Sequence, residues 1–207
     1  MVISKDFWRN KKVLITGHTG FKGSWLTVML SQLGSEVFGI SLKEEFISLA
    51  KDISIENYCN SKIIDLRNRD LVLKEINKIN PDIVFHLAAQ SLVIKSYNDP
   101  YLTYSSNLLG LVNTLDSLRF CSNTKVVLNV TSDKCYKNLE SLMGYKEDDI
   151  LGGHDPYSNS KACSELISES FRESFFKDKH VACVTARAGN VIGGGDWSEN
   201  RLVPDIF

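Results

Sequence analysis

The stretch KVLITGHTGFKG, residues 12–23, runs a short apolar segment into three glycines spaced three apart. Phe21, Trp25, Leu26, Met29, Leu30 and Leu33 then recur at helical spacing, and Gly34 follows where a helix would stop. Glycines in that place let the backbone turn sharply, bring N–H groups close to a pyrophosphate and let helix pack on strand, while the helix N-terminus attracts the anion. Gly17, His18, Thr19, Gly20, Phe21, Lys22 and Gly23 are therefore the expected dinucleotide cradle, with a structural glycine turn as the alternative. Lys22 stands in a first helical turn, where a cation opposes the helix dipole; it either faces the pyrophosphate or is a solvated lysine.

Outward from this unit, apolar runs of strand length alternate with helical periods. Strands are predicted at Lys12 to Thr16, Glu36 to Ile40, Lys62 to Asp65, Asp82 to Leu87, Lys125 to Thr131 and His180 to Ala186, with further helices at Asn68 to Lys78, Pro100 to Cys121 and Tyr157 to Phe176. The pattern predicts an α/β protein with a Rossmann-type, doubly wound parallel sheet. Lys43 to Asn57, Lys137 to Asp155 and everything after Asn190 read as loops, and the apolar residues of the last segment, Leu202, Val203, Ile206 and Phe207, lack periodic partners.

The 207 residues carry 24 Lys plus Arg against 25 Asp plus Glu, so no basic face for nucleic acid is expected. No apolar run approaches the roughly 20 residues of a membrane span, and Met1 to Arg9 has no signal-peptide core; a soluble, cytoplasmic protein is expected. Five cysteines, odd in number and without a Cys-x-x-Cys pair, argue against a disulfide framework or a zinc site, and no metal is expected.

An acidic residue that bonds the adenosine ribose is expected at the end of the second strand, but Ser41, Leu42 and Lys43 stand there and no arginine replaces it; NAD is preferred over NADP. Tyr157 and Lys161 are four apart on one helix face, and a nearby cation favours the phenolate, so the pair can act as a base towards an alcohol. A surface pair is the alternative. Thr131-Ser132-Asp133-Lys134 ends a central strand at the carboxyl edge where open α/β sheets bind ligands, so both groups can meet at one crevice.

Together these residues resemble the extended short-chain dehydrogenase/reductase superfamily of nucleotide-sugar enzymes. The longer stretches GHTGFKGSW, TSDKCY, DPYSNSK and RAGNVIGGGDW resemble, more narrowly, the CDP-glucose 4,6-dehydratases. The resemblance implies resident NAD, a CDP-glucose substrate and a product with a 4-keto-6-deoxy sugar. Tyr157 would take the O4 proton, Lys161 would hold the nicotinamide ribose and lower the tyrosine pKa, Ser132 would bond O4, and Asp133 would protonate the leaving hydroxyl. Related dTDP-glucose dehydratases carry a glutamate, the base at C5, where this chain has Lys134; a lysine serves only when neutral, which needs burial or cationic neighbours.

The resemblance also assigns Asp65 and Leu66 to adenine, Leu87, Ala88 and Ala89 to the pyrophosphate and ribose, Gln90, Asn107 and Asn190 to cofactor or sugar phosphate, and Trp197 with Arg201 to the nucleotide pocket. Asp65 has a second reading as a helix cap before Arg69, and His86 reads as a satisfied core histidine. Residues 1–190 would be the NAD-binding domain and 191–207 the start of a substrate-binding region that is largely absent. Pro100 to Cys121 and Tyr157 to Phe176 would form a homodimer interface. The alternatives are a nucleotide-sugar epimerase or reductase, which needs no acid at Asp133, and a dinucleotide-binding protein without activity.

Overall fold

Alternation along the first strand separates two cores. In the computed structural model, which describes residues 4–140, 142–201 and 203–206, β1 (Lys12–Thr16) sends Leu14 into one apolar cluster and Val13 and Ile15 into another. Neighbouring strand residues point to opposite faces, and a parallel sheet buries both. β2 (Glu36–Ser41), β3 (Asn60–Ile63), β4 (Ile83–His86), β5 (Val126–Val130) and β6 (Ala182–Ala186) join it in the order β3-β2-β1-β4-β5-β6, every pair parallel. The expected doubly wound sheet is present. Its strand order reverses between β1 and β4, which opens a crevice at their carboxyl ends.

Eight helical segments flank the sheet: α1 (Lys5–Trp8), α2 (Phe21–Gln32), α3 (Leu49–Asp52), α4 (Arg69–Ile79), α5 (Val93–Asn98), α6 (Pro100–Tyr104), α7 (Gly110–Leu118) and α8 (Pro156–Phe171). On one face Val72, Ile76, Leu111, Leu115, Leu118 and Phe176 close the larger cluster. On the other, Leu30 of α2 packs with Val13, Ile15, Val37 and Ile83.

Several expectations are corrected. α2 buries only part of its apolar stripe: Leu26, Leu30 and Leu33 pack on the smaller cluster, while Trp25 and Met29 are exposed and Gly23, Ser24 and Thr27 complete the inward face, because a helix that opens from a tight turn must lie close to the backbone beneath it. β3 lies two residues earlier than predicted, in register with β2 from Phe38↔Asn60 to Ser41↔Ile63, so Asp65 follows the strand rather than ending it. The stretch read as a loop at 43–57 contains α3 and a 3₁₀ turn, Ile55–Asn57, whose Ala50 and Ile55 are buried. α1 and α5 are additional, and the helix predicted from Pro100 to Cys121 passes through a π-turn, Ser105–Leu109, as does the one after Tyr157, at Arg172–Phe176.

The described residues after 190 contribute nothing to either apolar cluster. Of the unpartnered tail, Ile206 is exposed and Val203 half-buried. Leu202 and Phe207 lie outside the described residues, as do Met1 to Ile3. Among the described residues no helix is long and apolar enough to cross a membrane, and no group of three or more His, Cys, Asp or Glu side chains could hold a metal.

Candidate active site

The glycine turn is as tight as its sequence requires. Gly17 has φ +77° and stands so close to the segment after β4 that a Cβ would lie 2.7 Å from the Ala88 nitrogen. Gly23, one turn into α2, approaches the Gly17 carbonyl so closely that a Cβ would lie 2.1 Å from its oxygen. The helix begins at Gly20 with no side chain capping it, so its first N–H groups are left for a ligand at the crevice. Leu87, Ala88 and Ala89 line the opposite edge, half-buried.

His18 is brought to the turn but not to the crevice. Its ring is fully buried, shares a hydrogen bond with Ser61 Oγ through Nε2 at 2.7 Å, and is pushed down to about 4 by burial, so it is neutral. Only its backbone can serve a cofactor. Thr19 ties the turn to the end of β2, sharing a hydrogen bond with Ser41 Oγ at 2.7 Å and donating to the Leu42 carbonyl at 3.1 Å. Asp65 is held by Arg67, whose Nε donates to both carboxylate oxygens at 3.0 Å, and this pairing lowers its pKa. The cap before Arg69 is Asn68, which accepts from Leu71 N at 3.2 Å, so the capping alternative for Asp65 is set aside. Leu66 is buried, its carbonyl bonded by Asn113 Nδ2 at 2.8 Å.

The second half of the site hangs on α8. Asp155 caps it by accepting from Ser158 N at 2.9 Å, and Pro156 starts the first turn, which sets the height of Tyr157. Tyr157 and Lys161 are both buried on the face towards β5, where Lys161 Nζ donates to the Val130 carbonyl at 3.1 Å. Burial raises the Tyr157 pKa, with Asp133 and Asp155 adding to the rise, while the Ser132 hydroxyl and the Arg201 charge oppose it. The Lys161 ammonium is turned to the Val130 carbonyl. Lys161 itself is pushed down to about 8 by burial and by the charge of Lys22, with Glu165 pulling it back. His86 is a buried core residue, as read, sharing a hydrogen bond with Thr16 Oγ1 at 2.8 Å.

Ser132 Oγ accepts from Lys134 N at 3.2 Å and donates to Asp133 Oδ1 at 3.1 Å, closing the 3₁₀ turn Asp133–Cys135 at the end of β5. Asp133 is exposed at the crevice, and Lys134 is exposed too. Gln90 and Asn107 hold each other: Gln90 N donates to Asn107 Oδ1 at 2.7 Å, Asn107 Nδ2 reaches Ser160 Oγ at 2.8 Å, and the Gln90 amide is occupied by Leu92 and Thr103. In this arrangement both shape the loop after β4.

The segment after β6 crosses the mouth of the crevice. Trp25 Nε1 donates to the Gly194 carbonyl at 3.0 Å, and Arg201 bridges Asp196 at 3.0 Å and Ser91 at 3.3 Å. Burial and the Arg201 charge lower the Lys22 pKa. Among the described residues Lys22 has no ion-pair partner. Lys22, Lys161 and Arg201 thus make a cationic crevice suited to a diphosphate. Asn190 and Trp197 stand exposed on this segment.

Glu165 was not singled out by sequence, and Thr131 and Arg187 entered only as members of the TSDKCY and RAGNVIGGGDW stretches. They form a buried polar group behind Ser132, and only three-dimensional partners distinguish a buried glutamate from a surface one. A cavity of about 430 Å³ lined by Glu147, Asp149, Leu151, Glu165 and Arg187 lies on that side, away from Tyr157.

A sequence model described as GDP-mannose 4,6 dehydratase matches residues 14–193. The chain is 47% identical over its whole length to the CDP-glucose 4,6-dehydratase of Salmonella typhimurium, and spans 59% of that protein. Among solved structures, an epimerase from Methanothermobacter thermautotrophicus superposes with a TM-score of 0.85 at 27% identity, over 98% of this chain and 59% of that one. The UDP-glucose 4-epimerase of Thermus thermophilus, solved with NAD, superposes with a TM-score of 0.78 at 26% identity, over 91% of this chain and 58% of that one. The chain spans about three-fifths of the length of each of these three proteins.

Proposed function

The chain belongs to the GDP-mannose 4,6 dehydratase family, and from that premise we propose that it carries the NAD site and catalytic residues of a CDP-glucose 4,6-dehydratase. The observation that carries the reading is the meeting of Tyr157, Ser132 and Asp133 at the carboxyl end of β5, beside a glycine turn with no room for side chains. The cradle of Gly17, Gly20 and Gly23 fits a dinucleotide diphosphate, with Lys22 and the first N–H groups of α2 facing it, and Asp65, Leu66 and Leu87 to Ala89 walling the adenosine and ribose side. When bound, NAD supplies the acceptor for a hydride from C4 and returns it to C6.

The protein's own groups do the rest. Tyr157 accepts the O4 proton; burial raises its pKa, and the Ser132 hydroxyl and the Arg201 charge oppose that rise. Lys161 holds the ribose with its remaining donors. Once C4 is a ketone the C5 proton is acidic, and Asp133, beside Ser132, delivers a proton to the leaving C6 hydroxyl. Lys134 stands where the related dehydratases carry the base; it would take the C5 proton as the hydroxyl leaves and give it back to C5 when hydride reaches C6. Asn190 and Trp197 face the nucleotide sugar, with Arg201 at its phosphates, while Gln90, its amide taken by Leu92 and Thr103, shapes the loop beside it. Asp133 favours dehydration over epimerisation, which has no leaving hydroxyl to protonate. The CDP preference is supported by the 47% identity to the Salmonella enzyme.

The test is to incubate the protein with NAD and CDP-glucose, dTDP-glucose, GDP-mannose or UDP-glucose, then read the alkali absorbance of a 4-keto-6-deoxy sugar. Signal with CDP-glucose alone supports the proposal, and signal with another nucleotide sugar reassigns the substrate. Lys134→Ala should bind NAD normally and lose dehydration; full activity in that variant would remove Lys134 from the mechanism.

A further inference from the structure

Behind the Ser132 turn lies a buried ion pair that the steps above leave unused. Glu165 stands two helical turns beyond Tyr157 on α8 and is 5% exposed. It accepts from the Thr131 hydroxyl, from the Thr185 hydroxyl at 2.8 Å and from Arg187 Nη2 at 3.0 Å. Arg187 continues outward: its Nη1 donates to the Tyr136 hydroxyl at 2.9 Å and to the Glu147 carbonyl at 2.7 Å, and its guanidinium lies 4.8 Å from the Tyr136 ring centre. Thr131 immediately precedes Ser132, and Tyr136 immediately follows the turn Asp133–Cys135. One carboxylate and one guanidinium therefore grip the catalytic turn at both ends and tie it to the helix that carries Tyr157 and Lys161.

Removing one member of such a pair leaves the other buried without a partner, so its geometry is strongly held. The hydrogen bonds from Arg187, Thr131 and Thr185 keep Glu165 below the usual carboxylate range in spite of burial, so it remains an anion. Lys161, one turn earlier, is faced by Lys22 from α2, by His86 from β4, by the Val130 carbonyl from β5, and by Tyr157 and Glu165 on its own helix. His86 is neutral, pushed down to about 3 by burial and by the Lys161 charge. Glu165, four residues on along the same helix, is an anion whose charge raises the Lys161 pKa against burial and Lys22.

We propose that Glu165 and Arg187 are positioning residues: they set the Ser132–Asp133 turn against Tyr157, and the Glu165 carboxylate balances the buried Lys161 ammonium. The catalytic part rests on the proposed dehydration; the electrostatic part does not.

The experiment reads both. Nitrogen NMR of ¹⁵N-lysine protein without substrate follows the Lys161 signal, assigned by its loss in Lys161→Arg. In Glu165→Gln its midpoint should fall by about half to one pH unit, while Glu165→Asp, which keeps the charge, should leave it near the parent value. With CDP-glucose, Glu165→Gln should lose roughly 10- to 100-fold in kcat, move the alkaline limb of kcat/KM down by the same pH shift, and keep NAD affinity by calorimetry. An unmoved Lys161 midpoint in folded Glu165→Gln, or parent kcat, overturns the proposal. If Glu165→Gln does not fold, Glu165→Asp and Thr185→Val carry the test: loss of kcat with an unmoved Lys161 midpoint supports the bracket, and parent kcat overturns it. A parent protein that converts no nucleotide sugar would sink the proposed reaction while the Lys161 shift still decides the electrostatic part.

Discussion

Gly23 carries the tightest approach in the turn, with backbone rather than side chain on the other side of the contact. Gly23→Ala should lower unfolding free energy by about 1–3 kcal/mol and abolish NAD binding; urea unfolding and calorimetry check it, and parent affinity would show that the turn can shift. Histidines give a second residue-scale outcome. His18 and His86 are buried and neutral, with pKa values near 4 and 3 in the folded chain, so below pH ~6.5 the unfolded chain binds protons that the folded chain does not. Their stabilisation is whole above that pH and is lost as pH falls towards the folded values, at a cost of about 2 kcal/mol each by pH 5. Equal urea midpoints at pH 7 and pH 5 would contradict it. The sequence placed His18 among the cofactor residues because it sits inside the motif; its burial against Ser61 depends on β3, which no local pattern reveals.

At the scale of elements, α8 shows how a cap becomes catalytic geometry. Asp155 fixes the first turn, and Tyr157 follows two residues later. Asp155→Ala should cost about 1 kcal/mol of stability and lower kcat with little change in NAD affinity; unchanged kcat would show that Tyr157 is placed by its packing alone. α2 shows the opposite limit of sequence reading. Its large apolar residues follow helical spacing, yet the inward face is made of Gly23, Ser24, Thr27 and Leu30, because closeness to the turn selects small side chains. Periodicity found the helix, and Leu26, Leu30 and Leu33 of its stripe pack inward, but it did not show that Trp25 and Met29 would stay exposed. β3 slipped by two residues because a four-residue edge strand takes its register from β2, a tertiary neighbour.

Over the whole molecule, an apolar cleft of about 450 Å³ lies on α6 and α7, lined by Tyr101, Tyr104, Leu108, Leu109 and Val112. Tyr104 joins it to α8 by donating to Asn159 Oδ1 at 3.1 Å, and Leu166 of α8 is 54% exposed nearby in the chain. We propose that a second copy covers this face, as the two helices were expected to do. Light scattering should give twice the chain mass at micromolar concentration, and Leu109→Glu with Leu166→Glu should give the monomer mass with NAD binding retained. A monomer mass for the parent protein would remove the proposal.

By itself the sequence determined the strands, their alternation with helices, the glycine turn and the Tyr157–Lys161 spacing, since each is a local pattern of period, turn chemistry or i,i+4 geometry. The tertiary structure decided what each group faces. It turned Lys161 to the Val130 carbonyl, occupied Gln90 and Asn107 with one another, and left Lys134 exposed. It also brought Arg201 across from the far end of the chain to Ser91 and set Glu165 and Arg187 behind Ser132. Burial and charge act through space, so the pKa of a phenol or an ammonium is set by neighbours far away along the chain, Arg201 for Tyr157 and Lys22 for Lys161.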